Sequence, residues 1–251
     1  MRVRCCHPHR LPHRRSSNNC RVDKAGEHVV VAHGAGSSPE VASTLLPADL
    51  HPRAHWTYLR DRSGDIHAIV DSARQEAEPG AAWLMGISLG AHAMALLSAE
   101  RFVPARHLFA LPAWIGEPNA TAHLTKIAGD DIANQGIDSC LRHIAANAEP
   151  QHEWITSALN MSWSTYSRSA LSSCLHSAAR SRGPSFDDLA TIIGPTIIIG
   201  LADDPFHPQD VARQWAECIP QSHLVILTMD QVARHGSFAT PAVTEILSSW
   251  T

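Results

Sequence analysis

The sequence predicts an α/β protein: a mostly parallel sheet of about six to eight strands, flanked by helices and interrupted by a helical cap. Two observations carry this reading. From His28 onward, short continuous apolar runs alternate with Gly/Ser-rich turns and amphipathic stretches. That order marks strands buried on both faces and joined by helical crossovers. In addition, three unusual turns, HGAG at 33–36, GISLG at 86–90 and GLADDPFHP at 200–208, each follow the end of an apolar run. The chain has 251 residues, enough for one well-buried domain, and its 44% hydrophobic and 18% charged residues exclude a disordered polypeptide.

The elements follow in order. His28–Ala32 (HVVVA) reads as a strand and Pro39–Leu46 as a helix. Ala54–Leu59 is the next strand, followed by a helix from Asp65 to Glu76. Ala81–Ile87 is a buried strand, Leu89–Phe102 an Ala/Leu-rich helix, and His107–Leu111 a further strand. Residues 113–190 then lose the β-branched runs and show helical stretches at Ala120–Ile132, Ile137–Asn147 and Glu153–Arg180. An insertion of this length between strands implies a cap of helices, not a loop. The alternation returns with strand Thr196–Ile199, helix Pro208–Glu217, strand His223–Leu227 and a last helix Pro241–Trp250.

Residues 1–27 stand apart. They hold seven Arg/Lys against Asp23 and Glu27 and show no periodicity, so they read as a basic, disordered tail. Cys5, Cys6, His7, His9, His13 and Cys20 fit no paired-ligand spacing, so neither a metal nor another cofactor is expected. A net charge of −4 gives no reason to expect nucleic acid as partner. No apolar run reaches the roughly 18–20 residues of a membrane span. The basic start lacks the apolar region of a signal peptide, and six irregularly spaced cysteines suggest a reducing, cytoplasmic setting.

The chemistry-bearing residues lie in the turns. Gly86-Ile87-Ser88-Leu89-Gly90 sits between a buried strand and a helix. Such a turn forces a strained backbone on its central residue and holds the Ser88 hydroxyl up at the carboxyl edge of the sheet. The Leu89 N–H then lies beside it at the helix start. The glycines of His33-Gly34-Ala35-Gly36 allow backbone N–H groups to meet an oxyanion, and His33 reads as a structural residue behind that loop. Asp203 and Asp204 end another strand, and His235 follows the last one. His92, His207 and His223 compete as bases, His207 being read as a rim residue because it is so near Asp204, and Glu117 is a substitute acid. Trp154, Met161, Trp163 and Tyr166 lie at near-helical spacing and read first as the cap's own core or its contact with the sheet, and second as an apolar pocket over Ser88, with Trp114 the better candidate for a pocket wall.

On these motifs residues 28–251 resemble the α/β-hydrolase superfamily. HGAG looks like that family's oxyanion loop and GISLG like its nucleophile elbow. GLADDPFHP looks like the turn that carries its acid four residues before a proline, which selects Asp204. His235 matches the family's histidine after the last strand. The resemblance implies a serine hydrolase acting on a small-molecule carboxylic ester. Ser88, His235 and Asp204 would form its triad, and the amides of Ala35 and Leu89 its oxyanion hole. A thioesterase with the same triad and a non-catalytic ligand-binding module are the alternatives.

Overall fold

The computed structural model describes residues 27–77, 80–101, 105–149 and 152–250. The basic segment expected as a tail, with its Cys/His cluster, falls outside these residues except for Glu27. The Glu27 carboxylate accepts from Arg106 at 2.8 Å and from the Trp83 indole at 3.2 Å, and it also pairs with His51.

The chain runs β1 (His28–Ala32), α1 (Pro39–Leu45), a short 3₁₀ turn (Ala48–Leu50), β2 (His55–Tyr58), α2 (Ile66–Ala77), β3 (Trp83–Ile87), α3 (Leu89–Arg101) and β4 (Arg106–Ala110). Then come α4 (Ala120–Gln135), α5 (Ile137–Asn147), α6 (Glu153–Trp163), α7 (Arg168–Arg180) and α8 (Phe186–Ala190). The sheet resumes with β5 (Thr196–Leu201), α9 (Gln209–Cys218), β6 (Ser222–Leu227), α10 (Met229–His235) and α11 (Pro241–Ser248).

Among the described residues six strands pair in the order β2-β1-β3-β4-β5-β6, every pair parallel. Their near-continuous apolar character follows from helices on both faces. Val30, Leu84, Phe109 and Ile198 point to the side packed by α2, α3 and α9. Their neighbours Val29, Val31, Met85, Leu108, Ile197 and Ile199 point to the other side, packed by α1 and α11. The two-residue period thus serves two cores, and polar alternation has no place in it.

Two departures from the sequence reading bear on function. The helix expected over Glu153–Arg180 is broken at Ser164–Ser167, where Ser167 caps α7 by accepting from Ala170 N–H. The segment after β6, expected to be a loop, is the helix α10. Thr228 accepts from Gln231 N–H while the Gln231 side chain accepts from Thr228 N–H, and Gly236 ends the helix at φ 67°. This reciprocal cap satisfies the first free amides and makes helix the favoured state. Among the described residues no helix is long and apolar enough to cross a membrane.

Candidate active site

The strand order reverses between β1 and β3, and in open parallel sheets the crevice at that point is where ligands bind. The loop after β1 and the elbow after β3 both end there. Ser88 has φ 54°, a left-handed backbone uncommon for a residue with a side chain. Its flanking glycines are forced by contact. A Cβ on Gly86 would lie 2.4 Å from the backbone of Gly90, and one on Gly90 only 2.3 Å from Ala32 O. Helix α3 therefore starts directly on the end of β1, with Ser88 at its tip. Ser88 N–H donates to Ala110 O at 2.9 Å, and Ser88 O accepts from His92 N–H at 3.1 Å.

The Ser88 hydroxyl meets a histidine, and it is His207. Ser88 Oγ donates to His207 Nε2 at 2.9 Å, and His207 Nδ1 donates to Asp204 Oδ2 at 2.7 Å. The other carboxylate oxygen of Asp204 accepts from Phe206 N–H at 2.8 Å. Asp204 and His207 thus share one turn of D-P-F-H, closed at its base by a bridge between Leu201 and Pro208. Burial pushes the Asp204 carboxyl up, but the adjacent His207 and the amide donors outweigh it and hold the carboxyl below its ordinary range. Asp203 points elsewhere and accepts from Met229 N–H at 3.0 Å, which ties this loop to the start of α10.

His235 is therefore not the histidine on Ser88. It occupies the exposed last turn of α10, because the Thr228–Gln231 cap carries the chain into a helix. His207, set aside as too near Asp204 in sequence, takes that position. The sequence signal was the short Asp-x-x-His turn itself, in which one carboxylate reaches both an amide and an imidazole. Glu117 pairs with Arg182 on the surface at 3.2 Å.

The loop after β1 lies against Ser88: a Cβ on Gly34 would be 3.2 Å from Ser88 Cβ. Gly34 O accepts from His33 Nδ1 at 2.9 Å and from Ser37 N–H at 3.1 Å. In a trans peptide unit the N–H runs opposite to the carbonyl, so anchoring Gly34 O fixes the direction of the Ala35 N–H. Among the described residues neither Ala35 N–H nor Leu89 N–H has an acceptor.

The three tryptophans separate. Trp163 is buried in the cap core with Ile132, Leu171 and Leu175, and its indole N–H edge reaches the space beside Gly36. Trp154 packs with the core on the α1 face of the sheet. Trp114 is buried edge-on to His92 with ring centroids 4.7 Å apart, and so forms packing behind the site instead of an open wall. His92, fully buried, is pushed down to about 3 by desolvation and stays neutral. Its Nε2 accepts from Ala113 N–H at 3.0 Å. A cavity of about 290 Å³ lined by His51, Trp83, Met85 and Leu247 opens at the amino end of β3, the opposite end from Ser88.

No protein-family model matches the sequence, and no curated protein sequence does either. Solved structures do match. The enol-lactonase of Burkholderia xenovorans LB400 superposes with a TM-score of 0.67 at 13% identity, over 90% of this chain and 91% of that one. A thermophilic esterase from Thermogutta terrifontis gives 0.67 at 14% identity, over 90% and 89%. A carboxylesterase from the thaumarchaeon Nitrososphaera gargenis gives 0.70 at 13% identity, over 91% and 90%. The chain has the α/β-hydrolase fold.

Proposed function

We propose that the protein is a serine hydrolase that cleaves carboxylic esters through an acyl-enzyme on Ser88. The observation that carries the reading is the unbroken hydrogen-bond chain Ser88–His207–Asp204 at a strained elbow. The lactonase and esterases of the same fold give it chemical context, since both classes open ester bonds.

In this scheme His207 Nε2 takes the Ser88 hydroxyl proton as Oγ attacks the ester carbonyl carbon. The imidazolium is held by Asp204, whose hydrogen bond to Nδ1 also fixes the tautomer that leaves Nε2 free to accept. The carbonyl electrons move to an oxyanion that Ala35 N–H and Leu89 N–H would bind, the latter at the positive end of α3. Collapse expels the alkoxide, which takes the proton from His207. Water then attacks the acyl-enzyme, gives its proton to His207 and releases the acid as Ser88 is restored. Helices within 113–190 would cover the acyl group and set specificity, as expected for a cap.

A fluorophosphonate probe with mass spectrometry tests the reading, together with a panel of acyl esters and thioesters of graded chain length. Labelling at Ser88, lost in Ser88→Ala along with at least about 10⁴-fold of turnover, is expected. A folded protein that is neither labelled nor active on any member of the panel would make the chain a binding module. Faster turnover of thioesters than of esters would make it a thioesterase.

A further inference from the structure

The turn between α6 and α7 grips the oxyanion loop through groups that the hydrolytic scheme leaves unused. The Tyr166 hydroxyl donates to Ser37 O at 3.1 Å, and Gly36 N–H donates to Cys174 Sγ at 3.4 Å. The Arg62 guanidinium lies 3.6 Å from the centre of the Tyr166 ring and donates to Ser162 O at the end of α6 and to Thr165 Oγ1 in the turn. Arg62 thus pins the turn, and the turn pins the loop.

The loop needs such support. Ala35 stands between two glycines, and Gly36 holds a left-handed φ of 64°. Gly34 O sets the direction of the Ala35 N–H, but the glycines on both sides of Ala35 let the loop shift as a unit, so its distance from Ser88 has to be held from outside. Inside the loop only Gly34 O is tied, by His33 and Ser37. The amide of Gly36 and the carbonyl of Ser37 are both held from the cap side. A phenylalanine would fill the Tyr166 site equally well, so packing alone does not account for the hydroxyl.

We infer that Tyr166 is a positioning residue for the hydrolysis proposed above, its hydroxyl holding the loop through Ser37 O so that Ala35 N–H meets the developing oxyanion. The inference rests on that proposed reaction. Because oxyanion contacts strengthen in the transition state, a loosened loop lowers kcat and leaves KM alone.

The test uses the full-length protein with Tyr166→Phe, which keeps the ring and its stacking on Arg62. The expected result is a kcat about 3- to 10-fold lower, the worth of one hydrogen bond. KM should stay within about twofold and the pH profile of kcat unchanged, with the melting temperature lower by no more than about 4 °C. Arg62→Met should act in the same direction, and the double variant should be no slower than Tyr166→Phe alone, because both act through one latch. If Tyr166→Phe fails to fold, Arg62→Met carries the test. A wild-type kcat in the folded variant overturns the inference, and so does a rise in KM at constant kcat, which would mean contact with substrate. Fluorophosphonate labelling of wild type keeps the two claims apart. No label on Ser88 removes the hydrolase reading itself, whereas a label with normal kinetics in Tyr166→Phe removes only the role of the latch.

Discussion

The segments that leave β5 and β6 make an instructive pair. They emerge side by side at the same edge of the sheet, and each carries a histidine. After β5 the chain turns back on its own carboxylate: Asp204 binds Phe206 N–H and His207 together, and the Leu201–Pro208 bridge closes the turn. After β6 the chain enters a helix at once, because Thr228 and Gln231 cap each other. The first arrangement aims an imidazole across the strand ends toward Ser88. The second carries one along a helix to the solvent. What the backbone does in the first six residues after a strand decides which histidine meets the serine.

The comparison breaks most sharply at the histidines. His207→Ala is expected to lower kcat by about 10⁴-fold or more, while His235→Ala stays within about twofold. Ester hydrolysis by the two purified variants decides it, and the reverse ranking returns the base to α10. The aspartates come next. Asp204→Asn should cost about 10³–10⁴-fold through loss of the correct imidazole tautomer. Asp203→Asn should change kcat by less than about 10-fold and weaken the tie to Met229, seen as a lower urea midpoint.

A smaller effect is read in stability against pH. The Asp204 carboxyl is held below its unfolded value near 3.9, so its stabilisation is full above that value and is lost as pH falls through the folded one. Asp204→Asn should therefore flatten the acid limb of the unfolding curve below about pH 4, measured by urea titration at graded pH. The smallest change is Thr228→Ala, which removes the α10 cap. It should cost about 1 kcal/mol of stability with kcat unchanged. A marked loss of kcat there would show that the helix after β6 matters to the chemistry.

The same contrast explains what could be read in advance. The sheet was legible because Val29–Val31, Leu84–Met85 and Ile197–Ile199 serve two cores and so remain apolar at every position. The elbow was legible because a Cβ at Gly86 or Gly90 would lie within 2.4 Å of neighbouring backbone, which leaves no alternative to glycine at either position. The Ser88–His207 contact was not, because proximity of His207 to Asp204 in sequence looked like a reason against it. The turn geometry makes that proximity the reason for it. The alternative position on α10 carried its own warning in Thr228-Met229-Asp230-Gln231, a helix-start pattern that turns an expected loop into a helix. The tryptophans are a case of a different kind. Helical spacing shows that Trp154 and Trp163 share a helix, but which neighbour each faces depends on how α6 settles, and they settle on different cores.

The short reach from Asp204 to His207 also has a kinetic consequence. That pair is separated by 3 residues, whereas His207 and Ser88 are separated by 119. A contact within one turn forms on the microsecond scale or faster, and one spanning half the chain waits for the strands between to assemble. During refolding the acid–base pair is ready early and idle. On the proposed reading, turnover returns only when β5 has docked on β4, β4 on β3, and the start of α3 has formed beside Ser88, so the recovery of hydrolysis would report the assembly of that half of the sheet with its elbow.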